Sequence, residues 1–324
     1  MRAMVSTTPG EADPTTPEDA PSRGTSPGAD DERPHGQGDQ VQTAFERSIE
    51  EGHRRLSRST PALLATGVVG GLDVGTGVFA LLVIYRATGN ELLAALGFII
   101  GFFALTLASS ELFTENFLLP VAAVVAGRAR PRALGRLWLG TGLANLAGGW
   151  VVMGLVVVGF PDLGDTAVTV GRHYTDLGIG WESFAAGIIG GMAITLMTWM
   201  ERGSDSVVGK LVAAAAVAYL LAAGPLNHVI VASLQMFGAL HAGAPFGYLD
   251  WLGAASWGAL ANLVGGLGLV TVLRLIQVGR AQVEVERRRT DDEGHHVDAT
   301  SAERGRARQQ RRGEAEERPS SPPG

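Results

Sequence analysis

The feature that most constrains this chain is a series of long apolar runs confined to residues 61–279. A run of roughly 20 apolar residues matches the ~30 Å hydrocarbon core of a bilayer. These runs consist almost entirely of Ala, Val, Leu, Ile and Gly, and they are apolar on every side. A helix on the surface of a soluble domain keeps one wet face instead. The chain therefore reads as an all-α integral membrane protein. Its 45 glycines fit, because membrane helices pack by close backbone approach. Glycine-rich disorder would lack the apolar runs. With no cysteine, disulfides, thiol catalysis and Cys-ligated metals are excluded. No cofactor and no nucleic-acid partner is expected.

Six spans are expected, at about 61–86, from Leu92 through the segment ending near residue 127, 133–160, 182–200, 207–238 and 253–279. Thr60 and Pro61 open the first with a helix-start signal. Two spans are interrupted. The second meets Ser109, Ser110, Glu111, Thr114, Glu115 and Asn116 before its apolar run resumes. The fifth is broken by Gly224, Pro225, Leu226, Asn227 and His228. Ahead of the first span, residues 41–60 read as an amphipathic helix on the membrane surface, so the span-bearing domain is 61–280. Residues 1–40 and 281–324 read as polar tails, the first disordered and without the apolar core of a signal peptide. His295 and His296 in the second read as a solvated pair, not a metal site.

Basic residues in short loops set orientation. Arg128, Arg130, Arg132 and Arg136 follow the second span, and Arg54, Arg55 and Arg58 precede the first. Arg202 and Lys210 lie between the fourth and fifth, and Arg280 and Arg287 to Arg289 follow the sixth. The opposite loops are poorer: 86–91 has Arg86, 161–180 has Arg172, and 239–252 has neither Lys nor Arg. Both termini are therefore expected on the cytoplasmic side of the cell membrane.

An internal repeat organises the spans. Leu143-Ala144-Asn145-Leu146-Ala147-Gly148-Gly149 and Leu260-Ala261-Asn262-Leu263-Val264-Gly265-Gly266 agree at six of seven positions, and each follows a broken span. Three spans per half is odd, so the halves must be inverted relative to each other, a known plan for transport proteins. Breaking a helix in hydrocarbon frees backbone groups, which is tolerated only where protein buries them or a wet cavity receives them. Half-helix N-termini carry partial positive charge and loose N–H donors, so paired breaks favour an anion.

His228, beside the Gly-Pro break, is the focal residue, since ionisable groups at membrane depth are functional by default. Its ordinary pKa near 6.5 suits proton exchange at physiological pH, although a helix-packing role is the competing reading. For His241 packing is the preferred reading. Thr114 in the first break can donate to an anion or to His228. Asn145 and Asn262 read as clamps on the broken loops, with substrate contact second. At least one of Glu111 and Glu115 is expected to cap loop amides. Phe98, Phe102 and Phe103 precede the first break and Leu220 and Leu221 the second, where apolar rings could make a dry constriction. No HExxH, GxSxG or suitably spaced acid pair points to an enzyme. Passage of neutral solutes, and a scaffold or sensor without flux, are the alternatives.

Glu111-Leu112-Phe113-Thr114, the Asn145 motif, Gly224-Pro225-Leu226-Asn227-His228 and the Asn262 motif resemble the formate/nitrite transporter family in order and spacing, over roughly residues 41–280. The resemblance implies a homopentamer of aquaporin-like protomers, each passing small monovalent anions such as formate and nitrite, or their acids, with protons involved. It implies His228 as the central His, Thr114 as the Thr of the first loop, Phe98 and Phe102 in one constriction and Leu221 in the other. The family usually has Glu or Asn before this His and Ser after it; here they are Asn227 and Val229, so the pattern departs at Val229. It departs again at Leu221, where Phe is common, and at Thr175, where many members carry Lys.

Overall fold

The computed structural model describes residues 37–280 and 282–290, and every regular element among them is helical. Both expected tails lie outside the described residues, apart from 37–40 and 282–290, which are helical. The helices are α1 (Gln37–Ser57), α2 (Thr60–Thr88), α3 (Glu91–Ala108), α4 (Leu119–Val125), α5 (Pro131–Gly159) and α6 (Gly164–Leu177). They continue as α7 (Trp181–Gly203), α8 (Val207–Ala223), α9 (Val229–His241), α10 (Tyr248–Leu263) and α11 (Val272–Val278). A π-helical stretch, Val264–Thr271, joins α10 to α11, so that 248–278 forms one continuous rod.

Five of the described helices are long and apolar enough to cross a membrane: α2, α3, α5, α7 and the α10–α11 rod. Helices α8 and α9 are shorter and apolar. The long helices also expose large apolar side chains: on α5, Leu143, Leu155 and Val158 are 66%, 66% and 80% exposed. Contiguous apolar surface of this kind needs an apolar solvent.

Packing between the rods depends on missing side chains. A Cβ at Gly71 of α2 would lie 2.2 Å from Asn145 O of α5, and a Cβ at Gly191 of α7 would lie 2.2 Å from Asn262 O of α10. Only glycine lets these backbones meet, and such contact drives helix association where hydrocarbon supplies no hydrophobic effect. The two crossings are made by Gly67-Val68-Val69-Gly70-Gly71 and Gly187-Ile188-Ile189-Gly190-Gly191, a second matching pair of motifs.

The segment 161–180, expected as a loop, contains a 3-10 turn, Pro161–Leu163, and the helix α6. Its buried residues Ala167, Gly171 and Tyr174 recur at helical spacing, while Arg172 and Asp176 face outward. The pattern is that of an amphipathic helix, too polar to span. At Gly171 it rests on α9, where a Cβ would sit 2.7 Å from Gln235 O. Helix α1 lies on α4 in the same manner, a Cβ at Gly52 falling 1.9 Å from Leu119 O.

Candidate functional site

Two non-helical segments meet in the middle of the fold. The first follows α3, which ends where Ser109 turns into the left-handed region at φ 55°. Residues Phe113–Phe117 then form a 3-10 turn before α4 begins. The second follows α8. Pro225 has no N–H to continue that helix and biases Gly224 away from helical geometry. The chain recovers at His228, which caps α9.

Each segment is held by one buried asparagine. Asn145 Oδ1 accepts from Phe113 N (2.8 Å), while its Nδ2 donates to Gly67 O and Glu111 O (both 2.8 Å). Asn262 Oδ1 accepts from Val229 N (2.9 Å), while its Nδ2 donates to Gly187 O and Asn227 O (both 2.8 Å). Both asparagines are fully buried. Each satisfies an otherwise free N–H and C=O of its loop and ties that loop to a neighbouring helix.

Between the segments, Thr114 Oγ1 lies 2.7 Å from His228 Nε2, and both residues are fully buried. Val231 N donates to His228 Nδ1 at 3.4 Å. In the neutral ring this leaves the proton on Nε2, donated to Thr114 Oγ1, so the threonine hydroxyl keeps its own proton for a third group. Asn227 Nδ2 reaches Ser183 O at 3.4 Å.

Phe98 and Phe102 are fully buried on α3, with ring centroids 5.5 Å apart. Leu221 is buried and lines a cavity of about 180 Å³ that reaches the second break at Pro225. Leu220 is 48% exposed and turns away from it. The cavity wall includes Tyr85, Glu91, Thr169, His173, Tyr174 and Gln235, with no Lys or Arg among the lining residues. Arg172 and Thr175 do not line it: Arg172 pairs with Asp176 at 3.2 Å on the exposed side of α6, and Thr175 Oγ1 donates to Arg172 O. His173 and Tyr174 are the residues of this stretch that face the cavity. His241 Nε2 meets Trp150 O at 3.1 Å, a packing contact.

Glu111 and Glu115 differ from expectation: their carboxylates meet Arg55 of α1 and Arg58 just beyond its end rather than loop amides. Glu111 Oε1 pairs with Arg58 and, at 3.3 Å, with Arg55, while Glu115 Oε2 pairs with Arg55 at 3.2 Å. Arg55 also donates to Asn116 Oδ1 (3.0 Å) and to Glu51 (2.9 Å). Burial alone would lower the Arg55 pKa, but Glu111, Glu115 and Glu51 outweigh it and hold the guanidinium above its ordinary range. Burial likewise works to raise the Glu51 carboxyl, yet Arg55 and Arg54 hold it below its usual value. The arginines came out of the sequence only as topology markers, since nothing local joins residue 55 to residue 115. Asp73, a half-buried acid within α2 bonded to Ser110, was also missed, although a lone charge in an apolar run is itself a signal.

Apolar rods with lipid-compatible faces, packed around two non-helical segments that bring a buried polar pair together, define a multi-pass membrane protein. The chain belongs to the formate/nitrite transporter family, whose sequence profile matches residues 42–276. It is 27% identical over 238 residues to the inner membrane protein YfdC of Escherichia coli (strain K12), covering 67% of this chain and 71% of that protein. It is 23% identical over 259 residues to the transporter YrhG of Bacillus subtilis (strain 168), covering 74% and 95%. Among solved structures, an FNT family ion channel superposes with a TM-score of 0.65 at 17% identity, over 71% of this chain and 96% of that one. A pentameric formate channel with formate bound gives 0.56 at 18% identity, over 66% and 95%. At these identities the two structures establish the fold.

Proposed function

We infer that the protein passes small monovalent anions such as formate or nitrite, or their acids, across the cell membrane, and that protons take part through His228. The observation that carries this reading is the buried Thr114–His228 contact of 2.7 Å, made where the two interrupted segments meet. An anion leaving the cavity beside Leu221 crosses an apolar stretch and reaches Thr114, whose hydroxyl proton is available to it. His228 then shares a proton with the passing anion, which spares part of the several-kcal/mol cost of carrying full charge through a dry constriction. Phe98 and Phe102 form the apolar boundary on the other side, and Asn145 and Asn262 hold the loops in position.

The topology proposed for this passage of anions is six crossings in two inverted halves, with α3–α4 and α8–α9 as broken spans. The identical three-bond clamps of Asn145 and Asn262 support it. So does the pairing of α1 with α4 and of α6 with α9, which extends the repeat to the helix preceding each half. Arginine-rich residues 128–136, against 239–252 with neither Lys nor Arg, support cytoplasmic termini. In that topology α1 lies at the cytoplasmic surface. The pentameric neighbour supports a homopentamer.

Proteoliposome uptake of formate, nitrite, acetate and hydrosulfide at two pH values tests the reading. Wild-type flux is expected to depend on pH, and His228→Ala and Thr114→Ala to lower it and flatten that dependence. An unchanged pH profile in both variants would remove His228 from the mechanism. A second reading, passage of neutral solutes, draws on the cavity wall, which carries Glu91 and no fixed cation. Anion-selective current separates the two.

A further inference from the structure

The last rod ends at Val278, where Gly279 turns the chain at φ 87°, a conformation strained for any residue with a side chain. Helical residues 282–290 pack back toward the end of α4. Arg287 Nε donates to Val125 O (2.9 Å), and the buried Glu286 pairs with Arg289 (3.0 Å). The elbow so formed borders an open groove of about 670 Å³.

Its two sides differ in chemistry. The wall is aliphatic, built by Val272, Leu275, Ile276 and Val283. It runs on to the outer face of the rod, where Val272 and Ile276 are 44% and 68% exposed. The rim carries Arg280 and Arg287. Glu284, also at the rim, is matched by Arg288 at 3.5 Å, so the arginines leave the site cationic. The anchoring bond of Arg287 fixes its fork in place. An apolar channel opening sideways into hydrocarbon, topped by two guanidiniums at the end of a span, matches a molecule with a hydrocarbon tail and a phosphate head. We propose that this elbow binds one anionic phospholipid, its acyl chain along Val272 and Ile276 and its phosphate between Arg280 and Arg287.

The test uses the purified full-length protein in detergent, supplemented with dioleoylphosphatidylglycerol or dioleoylphosphatidylcholine, followed by native mass spectrometry and thermal unfolding. Phosphatidylglycerol is expected to bind and raise the unfolding midpoint more than phosphatidylcholine does. Arg280→Gln/Arg287→Gln should weaken phosphatidylglycerol roughly thirtyfold, the combined effect of two membrane-proximal cations, and weaken phosphatidylcholine less, because its choline already offsets its phosphate charge. Because Arg287 also holds Val125, a second variant, Ile276→Trp, fills the acyl channel without touching either arginine. It should lose phosphatidylglycerol while keeping its lipid-free midpoint. Equal response to the two lipids, or phosphatidylglycerol binding retained in both variants, overturns the proposal. So does a midpoint raised equally by inorganic phosphate, or one set by protein concentration instead of lipid, which would mean that a second copy covers the elbow.

Discussion

Removing the Arg55 guanidinium should destabilise the protein far more than the loss of one surface ion pair. The Arg55 side chain is 5% exposed, and those of Glu111 and Glu115 are 2% and 4% exposed. In Arg55→Met, Glu111 keeps Arg58, but Glu115 loses its ion pair with Arg55 while its carboxyl group stays buried. Breaking a buried pair by deleting one partner costs about 3–5 kcal/mol, against roughly 0–1 kcal/mol for an exposed pair. Most of that cost is the stranded carboxylate, so a second change should relieve it. In the Arg55→Met background, Glu115→Gln is expected to restore about 2 kcal/mol or more, because an amide is cheaper to bury than a carboxylate. The assay is a double-mutant cycle in reversible SDS unfolding from mixed micelles. The difference should persist when salt is raised, since buried pairs are poorly screened. If Arg55→Met unfolds within about 1 kcal/mol of wild type, or if Glu115→Gln adds to the damage, the cluster is not the buried charge pair described.

Three further outcomes follow from the packing. Asn262→Ala strands Val229 N–H and Asn227 C=O at about 1–3 kcal/mol each, so both the unfolding midpoint and flux should fall, while a midpoint equal to wild type would contradict the clamp. Gly191→Ala drives a Cβ to 2.2 Å from Asn262 O and should cost about 1–3 kcal/mol, whereas Gly135→Ala, with open space around it, should gain up to about 1 kcal/mol in the same unfolding assay. Because the folded Glu51 carboxyl lies below its ordinary value of 4.5, it adds stability above that pH and loses it as pH falls through the lowered value. The stability gap between wild type and Glu51→Gln should therefore shrink below pH 4.5, and a gap constant from neutral to acid would refute the pairing.

The apolar helices were legible because they rest on a one-dimensional signal. An apolar run has a length, and Pro225 or the cluster from Ser109 to Asn116 interrupts it visibly. The Asn145 and Asn262 motifs align within the sequence, and the Gly67–Gly71 and Gly187–Gly191 pair is equally visible there, but small-residue content alone does not say which backbones it lets approach. Helix α6 escaped because its stripe of Ala167, Gly171 and Tyr174 is narrow and its remaining residues are polar, which suits a loop as well as a short surface helix. The partners of Glu111 and Glu115 escaped for a different reason. Ion pairs across 53 to 60 residues depend on where α1 comes to rest, and that is a property of the packed fold.

The clamps also bear on how the chain is made. Asn145 fastens Gly67, Glu111 and Phe113, all synthesised before it, and Asn262 fastens Gly187, Asn227 and Val229, likewise already made. Each interrupted loop can thus be locked as soon as its own asparagine emerges from the ribosome, without waiting for the rest of the protein. The Thr114–His228 contact obeys a different clock, because its halves are 114 residues apart. Vectorial synthesis therefore completes the first loop's set of clamp partners well before the histidine that meets Thr114 exists.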